Sequence, residues 1–251
     1  MTDAVTLSYI NLYAVLGALP KLCELVPEAS ALVKGKPVSV GFAVKGGPHA
    51  TLCFQDGGCT LRDGVEGCDI LLPFSSPEKF NGLIDGTVTP VPRKGFTRIH
   101  FLLKEFTALT NLLTRYLKAS ADDLKDDEFF TRSTTLMLYV VAAAVCQVGN
   151  HDAIGRFSAS YIVDGTIRLS VHDGPAAVIS AKGHKLTVDP TTPPRCTACM
   201  EFSDIHLARD LFDGKVNAVA CIGTGGIRMS GMISMIDNVN RILDRVALYL
   251  A

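Results

Sequence analysis

CTACMEFSDIHLARDLFDGKVNAVACIGTGGIRM, residues 196 to 229, repeats an earlier stretch, CDILLPFSSPEKFNGLIDGTVTPVPRKGFTRIHF, residues 68 to 101. Cys68, Phe74, Asp85-Gly86, Val88, Val91, Gly95, Ile99 and Phe101 meet Cys196, Phe202, Asp213-Gly214, Val216, Val219, Gly223, Ile227 and Met229 at an offset of 128. Upstream, Val40, Phe42, Val44 and Gly47-Pro48 meet Ile167, Leu169, Val171 and Gly174-Pro175 at 127, and Leu12-Tyr13 meets Leu138-Tyr139 at 126. Two one-residue insertions bring every pair into register. Chance does not hold one register over so many positions, so the chain is a tandem duplication.

Each copy follows one order. In the first, Ser8 to Leu25 carries apolar residues at helical spacing, with Pro20 bending or ending its first half. Val38 to Val44, Ala50 to Phe54, a strand starting at Cys59 to Leu61, and Asp69 to Phe74 alternate or run apolar between Gly-containing turns, as strands do. Ser76-Pro77-Glu78 opens a short helix that Asp85-Gly86 closes. Val88 to Val91 and Phe96 to Phe101 read as a last pair of strands, and Leu102 to Leu117 as a closing helix. The polar, acidic residues 119–128 read as a linker, leaving repeat 1 at 1–118 and repeat 2 at 129–251. Strands joined by short turns pair antiparallel, so each repeat is expected to be α+β, a mainly antiparallel sheet of about five strands covered by helices.

Composition narrows the function. The chain has 251 residues, is 48% hydrophobic and carries a net charge of -1, with no long basic run. That speaks against non-specific nucleic-acid binding, and no polybasic patch for an anionic membrane is visible. The eight cysteines lie mostly in apolar runs and no secretory signal opens the chain, so reduced thiols in a cytoplasmic protein are expected. The longest apolar run, Leu136 to Cys146, is too short to span a bilayer and reads as a buried helix, so no stable membrane insertion is expected.

Residues 200 to 243, MEFSDIHLARDLFDGKVNAVACIGTGGIRMSGMISMIDNVNRIL, resemble the sterol-carrier-protein family of lipid-binding domains, and residues 71 to 101 follow the same layout more loosely. In the family an apolar strand leads into a short helix, an aliphatic residue and Gly, a strand, a Gly-rich bend, another strand and a Met- or Leu-rich final helix. The resemblance implies a five-stranded sheet covered by helices around an apolar tunnel for sterols, fatty acids or acyl-CoA, with no catalysis and no cofactor. The chain ends Tyr249-Leu250-Ala251, without the peroxisomal address of some relatives. Prolines 73, 90 and 92 interrupt the first copy, and Lys104 and Glu105 stand there where the second has Met232 and Ile233. The pocket is therefore expected in repeat 2.

The candidate ligand-binding residues are Met229, Met232, Ile233, Met235, Ile236, Val239, Ile242 and Leu243, an apolar stripe at helical spacing whose methionines suit an adaptable apolar surface. The competing reading is ordinary core, the whole chain then being an interaction or assembly module with closed cores; a homodimer fits either. Cys196 and Cys199 form a lone C-x-x-C without the second ligand pair of a zinc site, and on a strand their side chains face opposite ways, so they read as buried free thiols. Gly223-Thr224-Gly225-Gly226 lacks the Lys-Ser/Thr of a phosphate loop and reads as a turn between strands. His151-Asp152, His172-Asp173 and Asp204-x-His206 have no nucleophile placed by motif, so no catalytic set is expected.

Overall fold

The computed structural model describes residues 2–191 and 193–250. The chain divides into two compact units, Met1–Arg132 and Ser133–Ala251. In the first, a helical stretch α1 (Ala4–Leu25) and helix α2 (Pro27–Val33) precede β1 (Val38–Val44), β2 (His49–Gln55), β3 (Gly58–Asp63), β4 (Ile70–Phe74), α3 (Pro77–Ile84) and α4 (Thr107–Leu117). Helix α5 (Asp127–His151) contains the boundary. The second unit continues with α6 (Ala153–Ala159), β5 (Gly165–Val171), β6 (Ala176–Lys182), β7 (Lys185–Asp189), β8 (Ala198–Phe202), α7 (Ile205–Phe212), α8 (Ala218–Gly223), β9 (Ile227–Gly231) and α9 (Ile233–Leu250).

The duplication is visible bond by bond. The sheets run β3-β2-β1-β4 and β7-β6-β5-β8-β9. In each the first strand pairs antiparallel with the second and parallel with the fourth, Phe42 lying between Ala50 and Leu72 as Leu169 lies between Ala177 and Met200. The other ladders are antiparallel, so each sheet is mainly antiparallel with one parallel seam. Both outer hairpins turn in two residues with positive φ, Asp56-Gly57 and Gly183-His184, the type I′ geometry that matches strand twist. Helices α3 and α7 each end on an aspartate, Asp85 and Asp213, with the same backbone angles. A glycine in the left-handed region follows each.

Three segments depart from the sequence reading. Residues 88–93 of the first unit form no strand, because Pro90 and Pro92 have no N–H to give a ladder. Phe96 to Phe101 is helical, running on through a wide turn at Leu102–Phe106 into α4. What remains at the fifth strand's place is a single bridge, Leu71 to Lys94. In the second unit Val219 lies in α8, capped by Asn217 accepting from the Ala220 N–H at 3.1 Å, so the glycine run joins a helix, not a strand, to β9. Residues 119–128 hold a short helical turn, Asp123–Lys125, and the start of α5.

Pro20 is absorbed rather than breaking α1: a wide turn at Asn11–Val15 and a tight one at Leu16–Ala18 precede the segment that begins at Leu19. By length and composition α1 and α5 are long and apolar enough to cross a membrane, and more than half of the most apolar 18-residue window of each is buried in the structure, as in a core helix. The first unit's core is aromatic. Phe42 packs on Phe80 and Phe106, Phe54 on Phe101 and Phe106, and Phe74 on Phe80, with ring centroids 5.1–6.3 Å apart, the spacing at which rings attract edge to face.

Candidate functional site

The second unit builds the candidate site from the inner face of its sheet and the start of α9. Ala177, Leu169, Met200 and Met229 form one row across β6, β5, β8 and β9. Residues paired across a ladder share a face, so this row is continuous. Its first three members are buried and Met229, on the edge strand, is half-buried. Gly231 then turns the chain with φ +80°, so close to β8 that a Cβ there would stand 2.3 Å from the Thr197 carbonyl oxygen. The Met232 N–H donates to that same oxygen at 3.0 Å, which fixes where α9 begins.

From this corner the eight candidate residues separate. Met232 and Ile233 are 41% and 50% exposed, Met229 and Leu243 are half-buried, and Met235, Ile236, Val239 and Ile242 are buried. Together they make an apolar strip that starts at the surface and passes into the core.

Comparison of the two units at equivalent places exposes what single residues do not. Where the first unit has Phe42, Phe54, Ile70, Phe80 and Phe101, the second has Leu169, Ala181, Ala198, Ala208 and Met229. Leu169 and the three alanines are buried. The exchange runs the other way at Ile167 for Val40, Leu186 for Cys59 and Phe212 for Ile84; buried Leu186 stands across the ladder from Ala181 as Cys59 stands across from Phe54, and Phe212 packs edge-on against Phe202 at 5.9 Å. The interior of the second unit thus exchanges four phenylalanines for aliphatic side chains and gains one at Phe212.

Polar groups hold the surrounding helices. Asp152 caps α6 through the Ile154 and Gly155 N–H groups and accepts from Arg245 at 2.7 Å and the Tyr249 hydroxyl at 2.8 Å, tying α6 to α9. Burial raises the Asp152 carboxyl, but the donors from Arg245, Gly155 and Tyr249 outweigh it and hold the group down at about 2. Arg209 on α7 is buried and donates to the Ser133 hydroxyl at 2.8 Å and to Asp213 at 2.9 Å. The equivalent residue of the first unit is neutral: Asn81 accepts from Asn11 and donates to the Ala4 carbonyl. No motif marks Ala181, Ala208 or Arg209, and Asp152 stands out in the sequence only as half of His151-Asp152, not as a cap or a partner of Arg245. Laying one repeat over the other finds the alanines, whereas Asp152 and Arg245 are 93 residues apart with no local signal.

Cys196 precedes β8 and Cys199 lies on it; both are half-buried free thiols rather than buried ones. His172 stands half-exposed between Asp173 and Glu201, each 3.6 Å away. Among the described residues no group of three or more His, Cys, Asp or Glu side chains is placed to hold a metal ion. The first unit carries an open cleft of about 420 Å³ whose lining includes Phe74, Lys79, Val88, Pro90 and Arg93.

No protein-family model and no curated protein sequence matches the chain. Solved structures do. A UbiJ-SCP2 ubiquinone synthesis protein matches at 14% identity and a TM-score of 0.33, covering 43% of this chain and 96% of its own. The sterol carrier protein domain 2 of Helicoverpa armigera matches at 18% identity and 0.34, covering 44% and 87%. Sterol carrier protein 2 from Yarrowia lipolytica, in its apo form, matches at 14% and 0.30, covering 40% and 92%. The chain is similar to sterol carrier protein domains of known structure over a stretch about the length of one of its two units.

Proposed function

We propose that the chain is a lipid-binding or lipid-transfer protein whose second unit takes an apolar ligand, a fatty acyl chain or a sterol-like molecule, between the inner face of its sheet and α9. The observation that carries this reading is the replacement of Ile70 and Phe80 by Ala198 and Ala208 in the second copy of one fold, whereas Leu186 in place of Cys59 offsets the third exchange, Ala181 for Phe54, from across the ladder. A core phenylalanine cut to alanine ordinarily costs about 3–5 kcal/mol unless the space is refilled. An acyl chain refills it at a gain of about 0.8 kcal/mol per buried methylene. The strip from Met232 and Ile233 down to Met235 and Ile236 supplies an apolar entrance. The ligand is carried unchanged in this reading.

The test is Ala208→Phe, which restores the first unit's aromatic residue. Titrated with a fluorescent fatty acid, the parent chain is expected to bind and the variant to lose binding while keeping its stability within about 1 kcal/mol. If the core is closed, as in an assembly module, neither protein takes the probe and the variant loses about 1–3 kcal/mol to overpacking.

A further inference from the structure

We propose that residues 91–104 of the first unit dock the chain onto an anionic lipid bilayer. Where the second unit runs a strand back into its sheet, the first lets go of the sheet and turns helical at Phe96. The released segment does not hide its apolar side chains. Val91, Phe96 and Leu103 are 70%, 60% and 71% exposed, and Ile99 is exposed with them. Phe96, Ile99 and Leu103 are spaced three and four residues apart, which puts them on one side of the helical stretch, while Phe101 and Leu102 turn inward and are buried.

Charge selects the partner. From Gly86 to Lys104 the chain has no acidic residue, and Arg93, Lys94, Arg98 and Lys104 are interleaved with the exposed apolar side chains. Lys79 and Arg93 line the adjoining cleft. Arg98 lies 3.9 Å from Asp69 and donates to the Pro37 carbonyl at 2.8 Å, and the Lys94 ammonium donates to the Cys68 carbonyl at 2.5 Å, so the exposed Arg93 and Lys104 are the cations that face a partner. Glu105 is buried on the opposite side and paired with Lys36. Exposed apolar residues flanked by cations are what an interfacial helix needs: the apolar side enters the headgroup boundary and each cation is drawn to the negative surface. The sequence shows no polybasic run because these cations are spaced along the segment, where exposed Arg93 and Lys104 flank the exposed apolar side chains at its two ends. The inference is independent of the ligand reading for the second unit.

Cosedimentation of the full chain with vesicles tests it. Binding is expected to mixed phosphatidylcholine–phosphatidylglycerol vesicles and not to phosphatidylcholine alone, and to fall with added salt. Arg93→Glu with Lys104→Glu, or Phe96→Ser with Leu103→Ser, should each weaken it about tenfold or more. All four side chains are exposed, so circular dichroism should show both variants folded. Ala208→Phe should bind vesicles like the parent chain, which separates this claim from the ligand claim. Equal vesicle binding by the surface variants overturns the proposal, and so does no binding to mixed vesicles, the result expected if the segment instead meets an acidic protein.

Discussion

Asp152 shows how much one side chain fixes in the second unit. It caps α6, pairs with Arg245 and accepts from Tyr249, so a single carboxylate orients two helices. Its folded value of about 2 lies below the value near 3.9 of an unfolded chain. A depressed carboxylate stabilises the fold above its unfolded value and loses that contribution as pH falls through the folded one. Urea unfolding followed from pH 5 to pH 2 should therefore show about 2 kcal/mol lost between roughly pH 4 and pH 2 on this account, a step absent in Asp152→Asn. Asp152→Ala, which leaves Arg245 without its partner, is expected to cost about 3 kcal/mol at neutral pH. In the first unit Phe80→Ala should cost about 3–5 kcal/mol, because Phe42 and Phe74 both rest on that ring.

At the scale of elements, the corner between β9 and α9 depends on a residue with no side chain. Gly231→Ala adds strain at φ +80° and a contact with the Thr197 carbonyl oxygen; an expected loss of about 2–3 kcal/mol is measurable by thermal unfolding. Gly225→Ala has a similar φ of +82° with nothing within 4 Å, so it should cost only about 1 kcal/mol. Elements with a clear period were legible in the sequence. The alternation of Val38 to Val44 and its copy, the Ser-Pro and Asp-Gly ends of α3, and the apolar stripe of α9 from Ile233 on stand where their patterns put them, whereas Met229, which the helical spacing includes, lies on β9 and Met232 precedes the helix. Residues 88–101 were not legible, since Val88, Val91, Phe96 and Ile99 satisfy short strand and helix templates alike. There the prolines and the lost ladder partner decided the outcome, and the decision rests on tertiary contacts.

For the whole molecule, one fold in two copies carries two different interiors and two different edges. The first copy carries phenylalanine or isoleucine at interior positions where the second carries alanine, leucine or methionine, and it turns a basic, apolar segment outward where the second has a closing strand. The register of the repeat was readable from sequence alone, because turns and cap residues survive divergence. The site was only partly readable: the α9 stripe is visible as an amphipathic pattern, but its division into exposed Met232 and Ile233 and buried Met235, Ile236, Val239 and Ile242 depends on the corner at Gly231. Ligand saturation should raise the unfolding temperature of the parent chain and leave that of Ala208→Phe unchanged, since a ligand stabilises only the folded state that binds it.

Native mass spectrometry of the purified chain, followed by solvent extraction and identification of what is released, decides whether the second unit carries a ligand. The expected result is an adduct of one apolar small molecule per chain, an acyl chain or sterol-like compound, which is absent from Ala208→Phe prepared in the same way. A chain that carries nothing, takes up no added fatty acid or sterol and admits no apolar dye would contradict it.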